Sequence, residues 1–218
     1  MVPAHNEQEL LPGCLAALHR AAAAVALPVH LLVVLDACTD HTAASGTAVL
    51  TVRERNVGAA RRAGFTHLLH QLGAERLWLA TTDADTQVPR SWLADQLAHA
   101  HCGAHAVAGM VGVSDWSEHP PITAERFQRI HHHTPGHHHV HGANLGISAR
   151  AYLAVDGFPA LPAHEDIALI TTLKRTGHRV LHTADPPVIT SARRHARAPT
   201  GFANFLIHLA QHSPLPVR

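Results

Sequence analysis

Three apolar runs, HLLVVLD at residues 30–36, VLTVRE at 49–54 and RLWLATTDAD at 76–85, each finish on acidic residues, and helical periodicity fills the gaps between them. Strand-like runs alternating with amphipathic stretches predict βα units around a mostly parallel sheet. Leu10, Leu11, Cys14, Leu15 and Leu18 recur at helical spacing behind Asn6, a candidate N-cap, so residues 7–26 read as a helix. CTDHTAASGTAVL (38–50) reads as a short helix, and NVGAARRAGFTHLLHQLG (56–73), SWLADQLAHAHC (91–102) and HEDIALITTLKRTGHRV (164–180) as further ones. AVAGMVGV (106–113) reads as a strand, VLHTA and PPVIT as a strand pair, and residues 114–141 as a polar, Pro- and His-rich insertion. The expected fold class is α/β: a Rossmann-like, mostly parallel central sheet flanked by helices, in a single domain over residues 1–218.

Composition narrows what such a domain can do. At 218 residues and 46% hydrophobic the chain can bury a real core. Seventeen Lys and Arg against sixteen Asp and Glu leave +1, so no global field attracts nucleic acid. Cys14, Cys38 and Cys102 are odd in number and widely spaced, which fits a reducing cytoplasm better than a disulfide framework. The longest apolar candidate, Ala21 to Leu35, is broken by Pro28 and His30 and falls short of the roughly 18 residues a membrane span needs. No signal peptide is visible. The opening MVPAHNE stands where other α/β chains finish their first strand, so that strand is expected to begin upstream.

The chemistry is read from the strand ends. Ligands of open α/β sheets bind outside the carboxyl ends of the strands, so Asp36, Asp83 and Asp85 are expected on one rim. In TTDADT (81–86) an extended chain would point Asp83 and Asp85 to the same side. Two such carboxylates suit a hard divalent cation, Mn²⁺ or Mg²⁺. By itself the D-x-D spacing fits a pair of surface acids at a turn equally well.

Six blocks taken in order resemble family 2 glycosyltransferases of the GT-A fold, in their small soluble bacterial form: VPAHNEQELLPGCLAAL, LDACTDHT, NVGAARRAG, TTDADTQVP, HGANLGIS and HEDIALITTLKRTGHRV. The resemblance implies a nucleotide-binding half over residues 1–100 and an acceptor-side half over 101–218 that carries the insertion. It implies that Pro3, Ala4, Asn6, Glu7 and Asp36 line the pocket for the base and ribose of a nucleoside-diphosphate sugar. Asn56, Gly58 and Arg61, at a helix start suited to anions, would face its phosphates. Asp85 and Asp83, with Ala84 between them, would hold Mn²⁺ or Mg²⁺, with His195, or alternatively His182, as a third contact. Gly142 and Asn144 would lie against the donor sugar and acceptor. Asp166, with Glu165 beside it, would be the general base. Asp40 reads as a structural cap. The partners implied are a nucleoside-diphosphate sugar and a small or lipid-linked acceptor, with peripheral membrane contact left open.

HHHTPGHHHVHG (131–142) holds seven of the 23 histidines, a compositional signal for metal binding. Its TPG marks a turn, and the tract reads as a solvated loop on the acceptor side, away from Asp83 and Asp85; the alternative is a lid or acceptor contact, with His141, next to Gly142, as its member. Two other functions stay open. One is a non-catalytic Ni²⁺ or Zn²⁺ binder using residues 131–141. The other is a sugar-nucleotide nucleotidyltransferase, which would want a Gly-rich phosphate loop that MVPAHNEQE does not contain.

Overall fold

The computed structural model describes residues 1–44, 46–131, 136–194 and 201–211, with Asp185 as backbone only. The chain opens with β1 (Val2–Ala4), α1 (Leu11–Ala22), β2 (Leu32–Asp36), β3 (Ala48–Val52) and α2 (Val57–Leu72). There follow β4 (Trp78–Thr81), β5 (Thr86–Gln87), α3 (Trp92–His101), β6 (Ala106–Val113) and α4 (Pro121–Ile130). A 3₁₀ turn at Gly142–Asn144 leads to β7 (Leu145–Ser148), α5 (Ala149–Ala154), α6 (Glu165–Arg175), β8 (Val180–Thr190) and α7 (Phe202–Gln211).

β1, β2 and β3 form a sheet that is parallel throughout. Met1 extends it: its amine donates to the Ala80 carbonyl at 2.9 Å and its own carbonyl accepts from Thr82 N–H at 3.4 Å. That is the pattern of a parallel ladder, so β4 continues the order β3-β2-β1-β4. Beyond it the order is β4-β7-β6-β8-β5, in which β6 and β8 are parallel and the other pairs antiparallel. The N-terminal strands therefore form the parallel half of the sheet, and the second half mixes directions.

Helices cover both faces. Leu32 and Val34 point to the side of α2, packing with Phe65, Ile147 and Leu169. Val33 points the other way, against α1 and α3, with Leu11, Leu15 and Trp92. Each large side chain buried this fully, Phe65 being one, contributes about 2–3 kcal/mol relative to exposure. Phe127, Leu206 and Leu209 form a third, smaller core between α4 and α7. Among the described residues no helix is long and apolar enough to cross a membrane.

Five local expectations are corrected. The first helix begins at Leu11, not at residue 7: Glu7 and Gln8 N–H groups donate to Thr42 Oγ1 (2.8 Å) and Asp40 Oδ2 (3.2 Å), which holds the preceding segment against the loop after β2. Asn6 does not cap it: it sits at φ 55° and its Oδ1 accepts from Thr39 N–H at 2.7 Å. The helix expected after Asp36 is a loop in the described residues, with Ala37 at φ 49° and Asp40 closing a turn onto Thr42. The strand pair VLHTA and PPVIT is one strand, β8, whose register against β6 shifts between Gly109 and Val111. The shift takes Pro186 and Pro187, which have no N–H to donate, out of the ladder. The insertion, finally, contains α4.

Candidate functional site

The carboxyl ends of β1, β2 and β4 open into a cleft of about 1430 Å³. Pro3, Ala4, Asn6, Glu7 and Asp36 line it from the first two strands, and Asn56 and Arg61 from the start of α2. Asp83, Ala84, Asp85, Gly142, Glu165 and Asp166 line it from later elements, so residues far apart in sequence meet here. Gly58 and Asn144 do not line it, and His195 lies outside the described residues.

Asp36 is buried, and its carboxylate accepts three backbone N–H groups: Glu54 (2.7 Å) and Arg55 (2.9 Å) on Oδ1, and Asn56 (3.1 Å) on Oδ2. It thereby shapes the loop that starts α2. Asn56 in turn caps the helix, its Oδ1 accepting from Ala59 N–H at 2.8 Å while its amide donates to the Leu161 carbonyl.

The chain turns at Asp83 instead of running on extended, with Thr86 N–H donating to the Asp83 carbonyl at 3.1 Å. The two carboxylates consequently have different partners. Asp83 pairs with Arg61, whose guanidinium is buried and also pairs with Glu165. Asp85 pairs with Arg193 at 3.0 Å, and Arg193 also binds Glu7 at 2.7 Å. Burial would lower the Arg61 guanidinium, but Asp83, Glu165 and Asp166 hold it above its ordinary value. Burial, reinforced by Asp83 and Glu7, pushes the Asp85 carboxyl up to about 6 even though Arg193 opposes the rise.

Glu165 and Asp166 open α6 but face different surroundings. Glu165 is 4% exposed and turned to Arg61; burial raises its carboxyl against the pull of that arginine. Asp166 is half-buried at the cleft, with Oδ2 accepting from Gly142 N–H at 2.7 Å. A Cβ on Gly142 would stand 2.5 Å from the Arg61 guanidinium, so a larger residue there would have to push the arginine off its two acids. Gly58 serves similarly outside the cleft, where a Cβ would meet Glu165 Cβ at 2.9 Å. Asn144 is a brace: its Oδ1 accepts from Trp92 Nε1 (2.8 Å) and its amide donates to the Met110 carbonyl (2.9 Å).

The carboxylates of Glu7, Asp83, Asp85, Glu165 and Asp166 meet the arginines Arg61 and Arg193, so negative charge is in excess. Carboxylate oxygens of Asp83 and Asp85, beside the further acid Glu7, fit a hard divalent cation. His182 does not line the cleft. The histidine tract differs from its expected solvated loop. His131, His139 and His141 line the same cleft, and His131 is buried. Burial, with His139 and His137 adding to it, pushes the His141 imidazole down to about 4, and Asp83 acts on it in the opposite sense. Arg193 is a site residue that motif reading did not single out; its only signal was the basic run SARRHAR.

Of known proteins, S. aureus TarS 1–349 resembles the chain at 16% identity and TM-score 0.59, covering 88% of this chain and 59% of that one. Its complex with UDP-GlcNAc superposes at 15% identity and TM-score 0.64, covering 96% and 64%. The mannosyltransferase PcManGT of Pyrobaculum calidifontis, in complex with GDP-Man and Mn²⁺, does so at 19% identity and TM-score 0.62, covering 95% and 67%. The chain thus spans less than two thirds of the TarS segment, and at these identities the likeness carries the fold alone. No curated protein matches the sequence. The sequence model described as glycosyl transferase family 2 matches residues 1–152, which takes in β1 to β7 and every acid of the cleft except Glu165 and Asp166. On that match, and on an α/β fold shared with structures of glycosyltransferases, the chain belongs to glycosyl transferase family 2.

Proposed function

We propose that the chain moves a glycosyl unit from a nucleoside-diphosphate sugar to an acceptor hydroxyl. The observation that carries this reading is a cleft in which strand-end acids, the ion pairs of Arg61 and Arg193 and the half-buried Asp166 face one another. The structural neighbours that hold UDP-GlcNAc and GDP-Man support the class of donor.

Pro3 to Glu7 and Asp36 would receive the base and ribose. Asp36 Oδ2 accepts one backbone N–H and has a lone pair left for a base imide. Asp83 and Asp85 would hold Mn²⁺ or Mg²⁺, which neutralises charge on the departing diphosphate. Arg61 and Arg193 balance the acids and orient them. Asp166 takes the proton of the acceptor hydroxyl as its oxygen bonds to the anomeric carbon and the bond to the diphosphate oxygen breaks. The pairing of Glu165 with Arg61 supports giving this role to Asp166, whose carboxylate is held by the Gly142 N–H. The odd, widely spaced cysteines keep the cytoplasm as the proposed setting.

A thermal-shift panel of nucleoside diphosphates and their sugars, with and without Mn²⁺, tests the reading. A nucleotide- and metal-dependent rise in Tm that disappears in Asp85→Asn is expected. Absence of a shift with every nucleotide would sink it.

A further inference from the structure

His131, His139 and His141 bring their ring nitrogens together although ten residues separate the first from the last. One nitrogen from each can be chosen so that all three lie within 4.8 Å of one another. His131 stands at the end of α4, its ring against Phe127 at 4.2 Å between centroids. His139 and His141 flank Val140, which packs into the core, so the alternation of an extended segment turns both histidines the other way. His141 is itself extended, at φ −135° and ψ 122°.

His131 Nε2 lies 3.4 Å from His141 Nε2, while the ring centroids are 5.4 Å apart. The two rings therefore point nitrogens at one another. Two imidazole nitrogens bound at about 2.0–2.1 Å to one tetrahedral ion stand about 3.3 Å apart, which is the spacing found. The neighbouring buried histidines behave otherwise: His137 Nε2 contacts the Thr183 carbonyl at 2.9 Å and His182 Nδ1 contacts the His139 carbonyl at 3.3 Å.

We propose that His131, His139 and His141 form a binding site for a borderline transition-metal ion of the Zn²⁺, Co²⁺ and Ni²⁺ class, distinct from the carboxylate pair Asp83 and Asp85. Imidazole selects this class and carboxylate oxygen the Mg²⁺ and Mn²⁺ class, so the two sites sort ions by ligand chemistry. Three protein ligands leave a fourth position, which water or an oxygen-bearing ligand in the cleft completes. The site stands whether or not the chain transfers sugar.

Co²⁺ is the probe, because its visible absorption reports tetrahedral nitrogen ligation. Full-length protein stripped by chelator and dialysed should bind one Co²⁺ per chain with such a spectrum, and Zn²⁺ should displace it. His139→Ala/His141→Ala should weaken binding by at least about 100-fold, whereas the α2 pair His67→Ala/His70→Ala, which does not line the cleft, should leave it unchanged. Asp83→Asn/Asp85→Asn should retain the Co²⁺ spectrum; its loss there would overturn the separation of the two sites. Undiminished binding in the His139/His141 variant would overturn the site itself. X-ray absorption of the Zn²⁺-loaded wild-type protein makes the test independent of variant folding: three imidazole scatterers are expected, and an all-oxygen shell would refute the assignment.

Discussion

Arg193 binds Glu7 at 2.7 Å across 186 residues of sequence, joining the segment after β8 to the loop after β1. The same guanidinium holds Asp85 at 3.0 Å, so one side chain ties the acid of the N-terminal segment to an acid of the strand-end turn. Glu7 is 6% exposed, and a carboxylate buried to that degree is costly without its cation. Arg193→Ala is expected to lower unfolding free energy by about 3 kcal/mol, measured by urea denaturation at neutral pH. Adding Glu7→Gln should recover part of that loss, and strictly additive effects in the double variant would show that the pair is not coupled.

Arg61 is the more deeply buried of the two arginines, and its fork serves Asp83 and Glu165 at once. A lysine keeps the charge but cannot present two donors in that fixed geometry. Arg61→Lys should therefore destabilise the fold by about 2 kcal/mol and Arg61→Ala by about 3–5 kcal/mol. Equal stability of Arg61→Lys and wild type would contradict the bridging role.

The adjacent acids Glu165 and Asp166 are separable. Asp166→Asn should reduce kcat by about 10²–10⁴-fold with Tm and donor KM near wild type. Glu165→Gln should act chiefly on Tm, because it strips Arg61 of one of its two anions. The reverse pattern in steady-state kinetics and thermal unfolding would move the base to Glu165.

Asn144 tests the brace beside the cleft. Asn144→Leu removes the acceptor for Trp92 Nε1 and the donor to Met110 O, and Leu cannot fit where Gly109 leaves room only for the amide. A loss of about 2–3 kcal/mol is expected for the stranded polar groups alone, read by urea unfolding.

Thiol labelling checks the packing of α1. Burial, with Asp83 and Asp85 nearby, pushes the Cys14 thiol up to about 12, so almost no thiolate forms at neutral pH. Cys102 is exposed. Mass-resolved alkylation of native protein should modify Cys102 readily and Cys14 only on unfolding. Early modification of Cys14 would show that α1 does not cover it.

The legible parts of the sequence were those in which a local pattern meets no competitor. α2, α3 and β6 appear where periodicity places them, because their apolar faces have a sheet or a helix to bury against. Residues 38–44 broke the helical expectation because side chains from elsewhere bind the loop: Asn6 takes Thr39 N–H, and Asp40 reaches Gln8. TTDAD turned for a similar reason, each carboxylate answering to a different arginine.

Alternation of apolar runs and amphipathic stretches, together with six ordered motifs, determined the family, the α/β class and the rim on which acids gather. These are local properties, written in neighbouring residues. Tertiary structure alone decided the pairings: Arg61 with Glu165 across 104 residues, Arg193 with Glu7, and His131 beside His141. Burial and partner choice depend on what the rest of the chain brings within a few ångströms, and in this cleft that includes segments from near both ends of the chain.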